Sequence, residues 1–302
     1  MRTHTKGRAL AALLLMALLA LGLSASAQAK LTGEFTKFAN CPYENAAAIK
    51  CIYSVTEGGE VILGSKKVPI VNPVVLQGAW GGTVEEKEGA EFYPFIAATN
   101  GITLSKAAQP VPGGLAGIIN CKEIKEPFLR ASCEFFFENG ITGLNSTLEL
   151  AKPASAIRIS ENNLAGEIGT ALQLPVKVHL ENPFLGSECY VGSTGTPLTW
   201  NLTSGKTNPP APNTSITGSG GEGELLEKLR ILRLKNNVLV DNAWGAPGAS
   251  GCGGFLVELI LDPIINAAAG LPAKAGHNTA ILKNTILQSA ALAVKKNNAE
   301  NP

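Results

Sequence analysis

The chain has 302 residues, with 25 basic against 24 acidic side chains and a formal charge of +1. No basic run exceeds a pair and aromatic residues make up only 6%, which excludes the phosphate-neutralising surface that nucleic-acid binding needs. Of the acidic residues only Asp241 and Asp262 are aspartates, His4, His179 and His277 are the only histidines, and no Cys-x-x-Cys pair occurs; calcium loops and zinc sites are excluded, and no cofactor is expected.

Residues 1–29 read as a secretory signal peptide. Arg2, Lys6 and Arg8 supply the positive start, Ala9 to Leu23 an apolar run, and Ala25-Ser26-Ala27 and Ala27-Gln28-Ala29 two small-x-small cleavage sites. The apolar run has fifteen residues, short of the ~20 that span a bilayer. No second long apolar segment follows, so the mature chain is expected to lack a transmembrane segment and to be secreted, either extracellular or associated with the cell envelope.

Strand signals dominate what remains. Shorter candidates are Cys51–Val55, Val61–Leu63, Val68–Val71, Cys133–Phe137, Thr147–Leu150, Ala156–Ile159 and Lys228–Leu234. The clearest is Leu172 to Leu180, where Leu172, Leu174, Val176, Val178 and Leu180 alternate with polar residues or proline. Pro175 lacks an amide donor, which places it at a sheet edge or at a break. Gly205 to Gly223 is too rich in proline and glycine for regular structure. Asn236-Asn237 reads as a hairpin turn. A short helix is expected after Asp262 as cap, with Pro263 at its first position and Gly270 closing it. Thr279 to Val294 fits either a helix or a strand. Lys67-Val68 through Asn72-Pro73 and Lys177-Val178 through Asn182-Pro183 share a K-V-x-[I/L]-x-N-P pattern, as a duplicated β module would. The fold expected is mainly β: disulfide-stapled antiparallel β-sandwich or barrel-like sheets with one short C-terminal helix. Its modules would be 30–165 and 166–302, or one continuous domain.

All six cysteines follow the signal, as a disulfide framework in an oxidising compartment requires. Many pairings are open. The nearest-neighbour set, Cys41–Cys51, Cys121–Cys133 and Cys189–Cys252, is favoured because short loops close often before folding finishes. Cys252 stands among glycines whose amides could serve a nucleophilic thiolate, but an even cysteine count in an exported chain favours a bridge.

No catalytic, cofactor-binding or metal-ligating residue is assigned. His179 falls on the polar face of its strand, between Lys177 and Glu181, and reads as solvated; His277 follows a glycine and reads as a turn residue. Asp262 is taken as the cap and Asp241 as a strand-end turn residue. No Gly-x-Ser-x-Gly elbow occurs. Glu85-Glu86-Lys87-Glu88 and Glu222-Gly223-Glu224 are the densest acidic clusters and read as solvated loops. Phe135-Phe136-Phe137 reads as buried strand. Trp80 and Trp244 fit a sugar-stacking surface or the core. Asn145, Asn201 and Asn213 open N-glycosylation sequons.

Three stretches carry a resemblance: Gly186-Ser187-Glu188-Cys189-Tyr190-Val191-Gly192, the run from Leu239 through Gly253, and Gly270-Leu271-Pro272 through Ala280. Over this C-terminal half the chain resembles uncharacterised secreted proteins of high-GC Gram-positive bacteria. The resemblance implies an exported protein with a Cys189–Cys252 bridge and brings no activity with it. The function expected is a non-catalytic surface or binding protein with a cell-surface or extracellular ligand. The alternatives are a carboxylate-based glycosidase and an envelope pore or lipid carrier. A glycosidase needs convergent glutamates; a carrier needs an apolar cavity.

Overall fold

Alternating aliphatic and β-branched residues favour extended backbone with one face turned inward. In the computed structural model, which describes residues 30–87, 89–115, 125–128, 130–131, 143–228 and 230–301, they form a large antiparallel sheet. Residues 1–29, read above as a signal peptide, with Cys121, Cys133 and Phe135 to Phe137, lie outside the described residues.

The N-terminal strands are β1 (Ala48–Leu63), β2 (Lys66–Pro69), β3 (Val74–Gly81), β4 (Glu85–Lys87), β5 (Ala90–Ala97), β6 (Ala108–Pro110), β7 (Asn145–Leu150) and β8 (Arg158–Ile159). The C-terminal ones are β9 (Leu172–Glu181), β10 (Tyr190–Val191), β11 (Leu198–Leu202), β12 (Glu222–Leu226), β13 (Ile231–Asp241), β14 (Ala249–Ser250) and β15 (Thr279–Ala290). Among the described residues, α-helices α1 (Glu161–Gly166), α2 (Glu258–Ala269) and α3 (Ala291–Glu300) accompany them.

Hydrogen-bonded neighbours run β13-β15-β1-β3-β5-β8-β9, and β11 pairs with β9. Just past β11, Thr203 bridges Val240 of β13, with each amide donating to the other's carbonyl at 2.9 Å. This contact joins the two ends of the run, so the sheet closes into a barrel. Closure is the way an antiparallel sheet removes its free edges. β1 comes from the N-terminal half and pairs with β15 from the C-terminal half.

Several sequence expectations are refined by the sheet. Cys51–Val55 and Val61–Leu63 belong to one strand, β1, which passes through a bulge between Thr56 and Gly58. Gly59 holds φ +103° there, and a Cβ would stand 1.9 Å from the Ile281 carbonyl oxygen, so the close approach requires glycine. Asn236-Asn237 is not a hairpin turn. Both lie within β13, where a register shift between Leu234 and Asn237 absorbs an extra residue and Asn236 takes the left-handed conformation. The buried Asn237 side chain donates to the Ser219 carbonyl, which fixes it inside the sheet; the actual hairpin is β12–β13. Pro175 sits mid-sheet rather than at an edge, at the break its chemistry allows. Its carbonyl accepts from Ala151, so its missing N–H faces the gap between the end of β7 and the start of β8.

The C-terminal helix also starts earlier than its punctuation implies. Asp262 does not cap it; α2 begins at Glu258, and Pro263 falls inside. Asp262 Oδ2 and Oδ1 accept instead from the amides of Gly251 (3.1 Å) and Cys252 (2.8 Å), tying α2 to the Cys189–Cys252 disulfide. Gly270 closes α2 in the left-handed conformation as expected. Thr279 to Val294 is both alternatives in turn, β15 and then the start of α3, so the C-terminal region has two helices rather than one.

Two apolar cores follow from the alternation. The main one lines the barrel interior. The second lies on the outer face of β1, β3 and β15, where Cys51, Ala79 and Leu287 meet Phe35 and Phe38 of a 3-10 turn (Gly33–Phe38) and Ala291 and Val294 of α3. The Cys41–Cys51 disulfide fastens this outer layer to β1.

Candidate ligand-binding cavity

The inward face of β9, read from the sequence as its apolar face, meets the inward faces of the other strands without filling the space. Leu172, Leu174, Val178 and Leu180 of β9 face Val61 and Leu63 of β1, Val74 and Leu76 of β3, Leu282 of β15 and Trp200 of β11. Ile265 and Ala269 of α2, with Leu271 after it, contribute further wall. The β1–β2 hairpin is anchored there, since the Ser65 amide donates to the Ala269 carbonyl at 2.8 Å. The result is an internal cavity of about 110 Å³. This is smaller than the apolar cavity of about 150 Å³ that stays dry and holds benzene, so an aromatic ring would fill it and reach toward its rim. Half-buried Val61, Lys66, Val68, Ile70 and Ala107 mark where this one nears the surface.

Most polar groups in the wall are already engaged. Thr56 Oγ1 donates to Asn284 Oδ1 at 2.7 Å, and Asn284 Nδ2 donates to Asn237 Oδ1 at 3.3 Å. Gln109 Oε1 accepts from the amides of Val71 and Asn72, and its Nε2 donates to the carbonyls of Asn72 and Ala107. Trp200 is fully buried, and its enclosed Nε1 has no partner among the described residues.

A groove of about 290 Å³ beside the β4–β5 hairpin contains Glu85, Arg158, Gln173 and Asn201. Arg158 there is neutralised by two bonds to Glu85, at 2.8 and 2.9 Å; the hydrogen bond and charge of Arg158 hold the Glu85 carboxyl below its usual range. A shallower hollow is lined by His179, Glu181 and Asn182. Neither gathers two glutamates among its described residues, and the main cavity contains none.

His179 is not the solvated residue its strand position implies. Its ring stacks on Tyr190 with centroids 4.4 Å apart, Nδ1 lies 3.4 Å from Glu181 Oε1, and Nε2 is enclosed with no partner among the described residues. Beside it, burial raises the Glu149 carboxyl, but the hydrogen bond and charge of Lys106, with Lys177, outweigh this and hold it below the usual range. His277 is exposed in a turn, as expected, with its amide donating to Lys274. Asp241 ends β13, but buried: its carboxylate accepts from the amides of Asn201 (2.6 Å) and Ala243 (2.9 Å). Burial pushes that carboxyl up against the pull of both amides.

Cys41–Cys51 and Cys189–Cys252 are bridged as expected; the Cys121–Cys133 pairing lies outside the described residues. Trp80 and Trp244 belong to the core. The Asn213 side chain donates to the carbonyls of Asn242 and Asn278, so that sequon's amide is occupied. Sequence reading missed the cavity wall of Trp200, Gln109 and α2. The period-two pattern of Leu172 to Leu180 was its one usable signal. Comparison with protein-family models, curated proteins and solved structures finds no match for the chain.

Proposed function

We propose that the chain is a secreted binding protein that holds a small apolar ligand inside its barrel, joining the binding and carrier expectations. The cavity carries this reading: an unfilled aliphatic space where close packing is the rule. Two disulfides support an oxidising compartment. Burying a methylene is worth about 0.8 kcal/mol, roughly fourfold in affinity.

Titration of the oxidised protein with toluene, ethylbenzene, propylbenzene and butylbenzene tests this. Affinity should rise about fourfold per methylene until the cavity is full, then level off. Val178→Phe, which places a ring in the cavity, should abolish binding in a variant whose melting shows it folded. No binding by any member up to its solubility limit would sink the reading.

A further inference from the structure

Two hydroxyls remain free once the polar groups of the cavity wall are accounted for. Thr56 and Asn284 bond to each other and Gln109 to the backbone, while Trp200 Nε1 is sealed within the wall. Lys66, at the rim, has a partner of its own. Ser54 and Ser146 differ. Each is more than nine-tenths buried, with 8% and 9% of its surface exposed, yet each lines the cavity. Alternation places both on inward faces: Ser54 stands two positions before Thr56 on β1 and Ser146 two before Leu148 on β7, themselves lining residues. Opposite Ser54 across its two ladders are Leu76 and Ile286, which have no polar side chain. Opposite Ser146 are Leu180 and Gln109, and both ends of the Gln109 amide are already bonded. Neither serine hydroxyl has a partner among the described residues, and neither is sealed off as Trp200 Nε1 is, so both are open to what occupies the cavity. They also stand apart. β1 pairs with β2, β3 and β15 and β7 with β6 and β9, so no ladder joins the two strands. Ligand sites orient their occupant by a few polar groups on an apolar wall. The described lining residues include no carboxylate, and a charged head group would enter this wall uncompensated.

We propose that the ligand is a neutral molecule with an apolar body and hydroxyl- or carbonyl-type oxygens at two separated points, one hydrogen-bonded to Ser54 Oγ and the other to Ser146 Oγ. A serine hydroxyl donates or accepts, so either type of oxygen meets it. This ligand class rests on the cavity being the binding site and adds the two contacts that fix the ligand's orientation in it.

Linear α,ω-diols from butanediol to octanediol test it, because their length varies the spacing of the oxygens; ethylbenzene is the hydrocarbon control. Titration calorimetry compares them on the wild-type protein, Ser54→Ala, Ser146→Ala and the double variant. For the diol that binds best, each single variant should weaken binding about fivefold and the double variant about twenty-five-fold, while ethylbenzene stays within about twofold throughout. In the wild-type complex, nuclear Overhauser contacts should run from the carbinol methylene groups of the diol to the Hβ protons of both Ser54 and Ser146. Loss confined to one serine, loss at neither, or binding of ethylbenzene but of no diol overturns the two-point contact and leaves the cavity reading standing. Absence of binding by diols and ethylbenzene alike overturns both. If an alanine variant does not fold, the Overhauser contacts decide: contacts to both serines support the proposal, and contact to one or neither refutes it.

Discussion

Replacing Gln109 by leucine tests what holds the cavity shut. Strand β2 pairs only with β1 among the described strands, so the segment after it depends on other contacts. Gln109 supplies them: Oε1 accepts from Val71 and Asn72, each at 2.9 Å, and Nε2 donates to Asn72 (2.7 Å) and Ala107 (3.0 Å). Leucine keeps much of the volume and makes none of these bonds. Val71 and Asn72 are exposed, so water can replace the lost partners, and each bond counts for its net value of about 1 kcal/mol rather than the cost of a buried orphan. With partial compensation, local opening should become easier by about 3 kcal/mol, roughly a hundredfold in amide exchange at Val71 and Asn72. The urea midpoint should fall less than that figure implies, because the closed run of strands does not pass through β2. Gln109→Glu retains both acceptor bonds, loses both donor bonds and should fall between. Bound alkylbenzene should leave the leucine variant faster, since Ile70 and Ala107 at the rim flank this latch. If every slow amide of the barrel accelerates by the same factor as Val71 and Asn72, the residue acts on global stability and the latch is refuted.

The two observed disulfides should differ in worth. They close loops with sequence separations of 63 and 10, so paired alanine replacement of Cys189 and Cys252 should cost about 4 kcal/mol, and of Cys41 and Cys51 about 3. All four cysteines are buried, so void terms largely cancel in the difference; equal urea midpoints would contradict the loop-entropy account. Glu149 should give the fold an acid-sensitive limb. Its folded pKa lies below the usual carboxylate range, so its contribution is present above the unfolded pKa and is lost as pH falls through the folded one. Glu149→Gln should flatten the fall in stability as pH drops below the ordinary glutamate pKa of about 4.3, and an unchanged slope in urea titrations would show that Lys106 and Lys177 do not stabilise the carboxylate.

Where local chemistry decided the outcome, the sequence was legible. The alternation from Leu172 to Leu180 is β9 with its apolar side inward, and Gly270 ends its helix. Misreadings arose where a side chain served a distant partner. Asp262 has the chemistry of a cap and stands before a proline, yet its carboxylate reaches the amides around Cys252. Asn237 has turn chemistry, yet it is buried in a hydrogen-bond chain with Asn284 and Thr56. His179 alternates outward with Lys177 and Glu181, yet Tyr190 of the neighbouring strand covers its ring.

The cavity was illegible for a different reason. Each strand reports which face turns inward, but empty space is a deficit of volume summed over strands far apart in sequence, and no local pattern records it. The tryptophans make the point most sharply. Trp80 and Trp244 stand out in sequence because a glycine follows each, whereas Trp200, in Leu198-Thr199-Trp200-Asn201-Leu202, looks like one more core residue on an alternating strand. In the fold, Trp244 finds a carbonyl three residues back in its own chain. Trp200 sits within a strand paired with β9; its enclosed Nε1 has no partner among the described residues, and its residue helps to line the cavity. The space that Trp200 helps to line is a property of the closed ring of strands, which is why a residue of its wall is one the sequence passed over.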